Sequence, residues 1–213
     1  KSMMERVVLP LLQEKNLNQF IRFKVLKTTG IIESALYEKL ETHIPRLESL
    51  VTLAFLPSHT GVNMRLTVQD SSATKAEERI AVAEKIIRDQ TDTWIYGVGK
   101  EELEEQVGKL LVEKKLKIAI AESCTGGLVA DKITNVSGSS AYFERGYITY
   151  SNESKINLLG VPESILQHDG AVSEECAKAM ADRVRIMTGS DLGISTTGIA
   201  GPSCGTAACN RWA

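Results

Sequence analysis

Residues that could do chemistry cluster in three short segments, each of which follows an apolar, strand-like run. The segments are AESCTGG (Ala121–Gly127), TYSNESK (Thr149–Lys155) and STTGIAGP (Ser195–Pro202). A serine or threonine hydroxyl becomes a nucleophile when a base takes its proton, and a lysine is such a base when burial or a nearby cation lowers its pKa. Together the segments predict a site for a small phosphorylated molecule, with a hydroxyl nucleophile and a nitrogen base.

The first segment, AESCTGG, opens a helix. Backbone N–H groups at a helix N-terminus lack partners and carry partial positive charge, so they suit an anion, and glycine permits a close approach. We therefore expect Thr125, Gly126 and Gly127 to contact substrate. The alternative is that Ser123 or Thr125 does no more than cap the helix.

The other two segments are weaker signals when each is taken singly. Tyr150 at a strand end and Lys155 one turn into the next helix can converge on one point, although they are also typical of a rim aromatic and a solvated charge. Thr197 and Gly198 lie in the third segment, which could be only a turn. The chain has neither GxGxxG nor GxxxxGK[ST], which disfavours a dinucleotide dehydrogenase and a phosphate-loop enzyme.

The elements of the first unit, residues 20–99, follow from changes in hydrophobic period. IRFKVLK predicts a strand with Ile21, Phe23 and Val25 on its buried face, and ESALYEKLETHI predicts a helix that stops at Pro45. LVTLAFL and NMRLTVQ predict two strands joined by a turn, followed by the helix ATKAEERIAVAEKIIRDQ and the strand DTWIYG. The order β-α-β-β-α-β defines a split βαβ unit.

The second unit, residues 100–213, alternates strands with helices. The predicted strands are LKIAIA, GYITYS and LGISTTG, and the predicted helices include EELEEQVGKLLVEKK, TGGLVADKITN, ESKINLLG and SEECAKAMADRVRIM. In the last of these helices we expect a buried stripe of Cys176, Met180, Val184 and Met187. This pattern predicts an α/β fold with helices packed against a sheet and a site at the strand ends.

Bulk composition excludes several classes of protein. The 213 residues are 43% hydrophobic and 24% charged with net charge −2, which is typical of a globular protein without attraction to nucleic acid or anionic membranes. No run is long enough to span a membrane. The four cysteines lack CxxC spacing and the three histidines are scattered, so we expect a reducing cytoplasm and no metal site.

The order of the first unit also occurs in RNA-binding modules. The first unit has no GxxG loop and no aromatic pair of the RNP type, and its basic residues alternate with acidic ones. Nucleic-acid binding is therefore disfavoured, and a spacer or dimerisation domain is the preferred interpretation.

Four segments in fixed order resemble a known family. AESCTGG, SGSSAYFERGYITYSNESK, GAVSEE and TGIAGP are similar to the C-terminal domain of the CinA family (competence/damage-inducible protein), from about Glu102 to Thr206. Residues 20–99 resemble the KH-type linking domain of that family. Residues 1–19, with VVLPLLQEKN, resemble the end of its nucleotide-pyrophosphatase domain, whose body is missing. The resemblance implies a KH-type unit followed by a three-layer α/β amidase domain.

By this resemblance, the second unit is a nicotinamide-nucleotide amidase that needs neither metal nor cofactor. Its substrate would be nicotinamide mononucleotide, whose carboxamide is hydrolysed to the acid and ammonia. The implied catalytic residues are Ser123 as nucleophile, Lys155 and Tyr150 as assisting groups, and Thr197 as a further hydroxyl. Gly126 and Gly127 would serve the oxyanion or the phosphate, and Ser139 and Ser140, with Thr197, are candidates for phosphate or ribose contacts. Cys124 lies beside the nucleophile and is not assigned its role.

The carboxyl end departs from this family. Cys204 stands where glycine is expected, and the chain ends in CNRWA, which has no strand character. The codons CGG for Arg211 and TGG for Trp212, read from the last base of an Asn210 codon AAC into the codon for Ala213, give CCG GTG GGC, which encodes the Pro-Val-Gly that the family has there. We therefore expect a frame-shifted tail, an incomplete amidase domain, and an exposed edge that favours a homodimer. A non-catalytic nucleotide-binding module, or an interaction fragment, is the alternative.

Overall fold

The structure is a computed structural model, and it describes residues 3–11 and 20–199. The chain divides between Leu103 and Glu104 into two compact units. Within the described ranges, no helix combines the length and apolar character that a membrane crossing requires. The tail that carries Cys204 lies outside the described residues.

The first unit is an antiparallel sheet covered by helices. Its strands are β1 (Phe20–Thr28), β2 (Thr52–Pro57), β3 (Val62–Asp70) and β4 (Ile95–Val98), in the order β2-β3-β1-β4. Its helices are α1 (Glu33–Leu40), α2 (Ile44–Leu50) and α3 (Ala73–Thr91). The predicted order β-α-β-β-α-β is confirmed, except that two helices, α1 and α2, lie between β1 and β2.

The predicted helix end at Pro45 is wrong. A 3₁₀ turn (Glu41–His43) follows α1, and α2 then begins with Pro45 in its first turn. Proline is tolerated at this position because the first N–H groups of a helix have no intrahelical partner to lose.

The buried face of β1 is the opposite of the predicted one. Ile21 and Phe23 are 61% and 67% exposed, whereas Leu26 and Thr28 are fully buried. Because alternate side chains of a strand share a face, the burial of Leu26 and Thr28 turns the even-numbered residues toward the helices.

Two charged residues of β1 therefore lie under α3. Arg22 pairs with Glu77 at 3.6 Å, and Lys24 pairs with Glu84 at 2.6 Å. Long aliphatic stems let Arg and Lys cover apolar surface while their charged ends reach a carboxylate. The pattern IRFKVLK is apolar on its odd positions, but it carries no information about these two partners on α3.

The second unit is a parallel sheet. Its strands are β5 (Ile118–Glu122), β6 (Phe143–Ile148) and β7 (Leu192–Thr196), in the order β6-β5-β7. Its helices are α4 (Leu103–Lys114), α5 (Leu128–Thr134), α6 (Asn152–Leu159), α7 (Glu163–His168) and α8 (Glu174–Thr188). The short helix α7 is absent from the sequence prediction.

Helices cover both faces of this sheet. Ala119 and Ala121 of β5 belong to a core cluster with Leu159 of α6 and Met180 of α8. Ile118 and Ile120, on the other face, belong to a second core cluster, which includes Leu111 of α4, Ile133 of α5 and Tyr142. This arrangement confirms the predicted three-layer α/β fold. Of the predicted stripe on α8, Cys176, Met180 and Val184 are buried, but Met187 in the last turn is half exposed.

Gly193 allows α8 to pack directly on β7. A Cβ atom at this position would overlap the carbonyl oxygen of Ala181 and lie 2.9 Å from Arg185 Cβ. Since a backbone atom cannot rotate away, we expect Gly193→Ala to lower the free energy of unfolding by about 3 kcal/mol, the upper part of the range for overpacking. Urea unfolding followed by circular dichroism measures this loss.

Gly146 of β6 provides the matched control. A Cβ atom there would meet only side-chain atoms, Phe143 Cζ at 3.3 Å and Ala130 Cβ at 3.4 Å. These atoms can shift slightly, so Gly146→Ala should cost less than about 1 kcal/mol. Equal losses in the two variants would show that the packing of α8 on β7 does not set the requirement for glycine.

Candidate active site

The carboxyl ends of three parallel strands meet at one edge of the second unit's sheet. Ser123 follows β5, Tyr150 lies just after β6, and Thr197 follows β7. The N–H of Ser123 donates to the carbonyl oxygen of Thr196 at 3.0 Å, which ties the first of these segments to the third. Parallel α/β sheets commonly place their ligand sites at this edge.

Lys155 reaches this edge from α6 and contacts Ser123. Ser151 caps α6, accepting a hydrogen bond from Ser154 N at 3.0 Å, and this sets the start of the helix. Lys155 is 1% exposed, and its Nζ lies 3.0 Å from Ser123 Oγ. A buried amine is thus in direct contact with a hydroxyl that could act as a nucleophile.

Two carbonyl groups orient the lysine amine. Nζ donates to Thr149 O at 2.9 Å and to Tyr150 O at 3.1 Å. As an ammonium, Nζ would donate to Ser123 Oγ as well; once the amine is neutral, its two N–H groups serve the carbonyls and its lone pair faces the hydroxyl of Ser123. This geometry is the one that a base needs in order to remove the proton of the serine.

The environment of Lys155 favours the neutral amine. Burial lowers the pKa of Lys155, and the nearby thiols of Cys176 and Cys124 oppose this shift only in part. No carboxylate of residues 3–11 or 20–199 forms an ion pair with Nζ. Desolvation disfavours an ammonium ion when no counter-charge is present.

Glu122, the last residue of β5, caps α5. Its carboxylate is 1% exposed and accepts three N–H groups: Gly127 at 2.9 Å, Val129 at 3.1 Å and Ala130 at 2.7 Å. Burial alone would raise the pKa of Glu122, but the hydrogen bonds from Thr125 and these amides outweigh it and hold the pKa below its ordinary value. The carboxylate is therefore an internal anion at the start of α5.

This contact corrects the prediction that Gly126 and Gly127 present their N–H groups to substrate. The N–H of Gly127 donates to Glu122, and that of Gly126 donates to Ser123 O at 3.2 Å. Both glycines have positive φ angles, 60° and 107°, so their role in this structure is to let the chain turn sharply between β5 and α5. The glutamate of AESCTGG is a sequence signal for this helix cap, because acidic residues are favoured at helix N-termini. The sequence prediction did not use this signal.

Two other amides of the turn remain open. Within the described ranges, the N–H groups of Cys124 and Thr125 have no hydrogen-bond acceptor. The hydroxyl of Thr125 lies 2.6 Å from that of Thr196, which again joins the turn to the end of β7. Gly198 lies against Cys124, because a Cβ atom at position 198 would come within 3.1 Å of the cysteine sulfur.

The side chains of Tyr150 and Thr197 are not part of the contact between Ser123 and Lys155. Tyr150 is 69% exposed and reaches Lys155 only through its carbonyl oxygen. The hydroxyl of Thr197 donates to Ala171 O at 2.6 Å, so its lone pairs can still accept but its proton is engaged. In this structure neither hydroxyl completes a proton relay.

Ser139 and Ser140 lie at the other edge of the sheet. They belong to a 3₁₀ turn (Ser139–Ala141) that precedes β6, whereas Ser123 follows β5, which runs parallel to β6. A six-residue strand is about 20 Å long at ~3.3 Å per residue, which separates these serines from the edge that carries Ser123. The prediction that they contact the same substrate is not supported. Among the described residues, no cluster of His, Cys, Asp and Glu is arranged to hold a metal ion.

Sequence comparisons connect both units to one family. The CinA C-terminal domain matches residues 100–210, and the Damage-inducible protein CinA KH domain matches residues 23–97. A CinA-like protein of Chloroherpeton thalassium is 44% identical over 206 residues, which cover 97% of this chain and 49% of that protein. A CinA-like protein of Chlorobium limicola is 42% identical over 206 residues, with 97% and 48% coverage.

Among solved structures, the competence/damage inducible protein CihA from Agrobacterium tumefaciens has 37% sequence identity and a TM-score of 0.47, over 51% of this chain and 68% of that one. The chain spans about half the length of the curated relatives that it matches. The two domain matches are adjacent along the chain. The match to the CinA C-terminal domain includes both Ser123 and Lys155. The chain belongs to the CinA family.

Proposed function

We propose that this chain hydrolyses the carboxamide of nicotinamide mononucleotide to nicotinate mononucleotide and ammonia, in cytoplasmic recycling of pyridine nucleotides. The supporting observation is the 3.0 Å contact between Ser123 Oγ and the buried amine of Lys155. A serine next to a neutral lysine suits acyl transfer from an amide, because the same amine can take and return a proton.

The first half of the reaction forms an acyl-enzyme. Ser123 Oγ attacks the amide carbon while its proton moves to the lone pair of Lys155 Nζ. The resulting ammonium is held by the carbonyl oxygens of Thr149 and Tyr150, which already accept its other two protons. Lys155 then gives a proton to the amide nitrogen, the C–N bond breaks, and ammonia leaves.

The second half releases the acid. With ammonia gone, neutral Lys155 can take a proton from a water molecule, which attacks the ester carbon. The ester bond to Ser123 breaks, the proton returns to Oγ, and the carboxylic acid departs. One water is consumed and one ammonia is formed, as amide hydrolysis requires.

The open amides of Cys124 and Thr125 are our proposed donors to the oxyanion. An N–H group directly after the nucleophile lies close to the carbonyl oxygen that becomes negative during attack. Gly126 and Gly127 are unsuited to this role because their amides already have acceptors.

The substrate's phosphate should be recognised by hydroxyl and backbone dipoles. Hydrogen bonds to a charged group contribute about 1.5–3 kcal/mol, so nicotinamide riboside, which lacks the phosphate, should show a kcat/KM roughly 10- to 100-fold lower than the mononucleotide. The measurement is ammonia release from the mononucleotide, the riboside and free nicotinamide.

Two results would count against these proposals. Equal rates on the mononucleotide and the riboside would contradict the proposed recognition of the phosphate, but not the amidase activity. A folded protein that releases no ammonia from any of the three compounds would overturn the amidase itself.

A further inference from the structure

We propose that Glu122 is a positioning residue for Ser123: its carboxylate fixes the turn from Ser123 to Gly127, in which, among the described residues, only the amides of Cys124 and Thr125 have no acceptor. This inference rests on the proposed function, since it names the group that holds the nucleophile of that reaction in place. Glu122 itself does not contact the reacting atoms.

Glu122 is well placed for this role because its backbone is fixed on both sides. As the last residue of β5, it pairs with Ile148 of β6 and Thr196 of β7. Its carbonyl oxygen accepts the N–H of Thr149 at 2.7 Å, directly beyond β6. The side chain thus extends from the middle strand of the described sheet, the most constrained position at this edge.

The carboxylate of Glu122 also holds the turn from Ser123 to Gly127 by accepting hydrogen bonds from its residues. It accepts the N–H groups of Gly127, Val129 and Ala130, and the nearby hydroxyl of Thr125 helps to lower its pKa. The hydroxyl of Thr125 lies 2.6 Å from that of Thr196, which ties the middle of the turn to β7. Only residues 123–126 lie between the end of β5 and the amide of Gly127, so the hydrogen bond from Gly127 to Glu122 limits how far Ser123 can move relative to Lys155.

The same carboxylate decides where a substrate anion can bind. Three amides at the start of α5, Gly127, Val129 and Ala130, already donate to it. Hydrogen bonds to an ionised acceptor are stronger than neutral ones, and a second anion beside the carboxylate would be repelled. The phosphate of a mononucleotide is therefore excluded from this helix end, and the oxyanion is directed to Cys124 and Thr125.

The test compares Glu122→Gln with Glu144→Gln. Glutamine keeps the size of the side chain, but it has one acceptor oxygen and presents N–H groups where Glu122 accepts. Glu144 is a matched control because it is an exposed glutamate of the same unit, paired with Lys117 at 2.8 Å. The measurements are kcat, KM, and the second-order rate at which a fluorophosphonate labels Ser123. In that labelling step the serine oxygen displaces fluoride from phosphorus and its proton passes to Lys155.

We expect Glu122→Gln to lower both kcat and the labelling rate by roughly 10- to 100-fold, the usual cost of a displacement of about 1 Å at a reacting group. KM should stay within about 3-fold, because Glu122 does not contact bound substrate. The midpoint of the pH profile should not move, since burial rather than Glu122 shifts the pKa of Lys155. Glu144→Gln should behave as wild type.

Three results would overturn the proposal. The first is labelling of folded Glu122→Gln at the wild-type rate. The second is a moved pH midpoint, which would mean that Glu122 acts on the charge of Lys155. If the variant does not fold, amide hydrogen exchange of the wild-type protein is the test. The amides of Gly127, Val129 and Ala130 should then exchange more slowly than those of Cys124 and Thr125. The third contrary result is the reverse order of exchange rates. Labelling uses no nucleotide, so a protein that labels normally but releases no ammonia contradicts the proposed function alone.

Discussion

Ser123→Ala should abolish ammonia release, with a loss in kcat on the order of 10⁴-fold or more, while Cys124→Ala keeps most of the wild-type rate. Removing the nucleophile of an acyl-transfer enzyme costs this much because no acyl-enzyme can form. Cys124 contributes its backbone N–H, which alanine retains. A coupled ammonia assay with the mononucleotide measures both variants.

The neighbouring cysteine makes this comparison stringent. Both variants change a small side chain in the same turn, so a general disturbance of the turn would affect them alike. Turnover by Ser123→Ala, or a folded Cys124→Ala protein without activity, would move the nucleophile away from Ser123.

Lys155→Met should lower kcat/KM by roughly a hundred- to ten-thousand-fold, the usual contribution of a general base. Methionine retains the length and much of the apolar volume of the buried stem but cannot accept a proton. Lys178→Met on α8 is the control, because Lys178 is an exposed lysine whose pair with Glu174, at 2.6 Å, lies at the surface. A folded Lys155→Met protein with wild-type kcat/KM would exclude Lys155 as the base.

The pH dependence of stability and activity, compared between wild type and Lys155→Met, provides a second test of the role of the Lys155 amine. Because burial lowers the pKa of Lys155 in the folded protein, the unfolded chain binds more protons between that pKa and the ordinary lysine value. The free energy of unfolding contributed by Lys155 therefore rises with pH across this window, and the methionine variant lacks that rise. Activity should decline as pH falls through the same folded-state pKa, since the base becomes protonated. Two different midpoints would mean that another group controls the activity.

Hydrophobic period was sufficient to predict the order of the strands and most of the helices in both units, but not every helix, face or boundary. In β1, Ile21, Phe23 and Val25 are apolar on one face, while Leu26 begins the apolar part of the other. The sequence pattern of β1 cannot decide between these faces, because the choice depends on the core that Leu26 enters and on the cover that α3, with Glu84, gives to Lys24. Helix α7 spans only six residues, too few for a helical period to be recognised.

The candidate site, like the fold, was predicted from the sequence only in part. Three polar segments at the ends of parallel strands predicted one shared edge, because strand ends in such a sheet must meet there. The contact between Ser123 and Lys155, 32 residues apart, depends on the angle at which α6 leaves β6, and only the family resemblance pointed to that pair. Ser139 and Ser140 have the same residue types as the site, yet their position before β6 places them at the opposite edge. Residue type and spacing do not report the end of the strand at which a residue lies.

The ties between the nucleophile turn and β7 also have a consequence for how the protein folds. Thr125 and Thr196 are 71 residues apart, and Ser123 N bonds to Thr196 O beside them. Contacts of such long sequence separation carry a large loop-closure entropy and form slowly, so β7 should dock after β5 and β6 have paired. Until that step the serine lacks its tie to the third strand. The geometry of the nucleophile turn is thereby completed only when β7 docks, so catalytic activity should appear no earlier than this last step of folding.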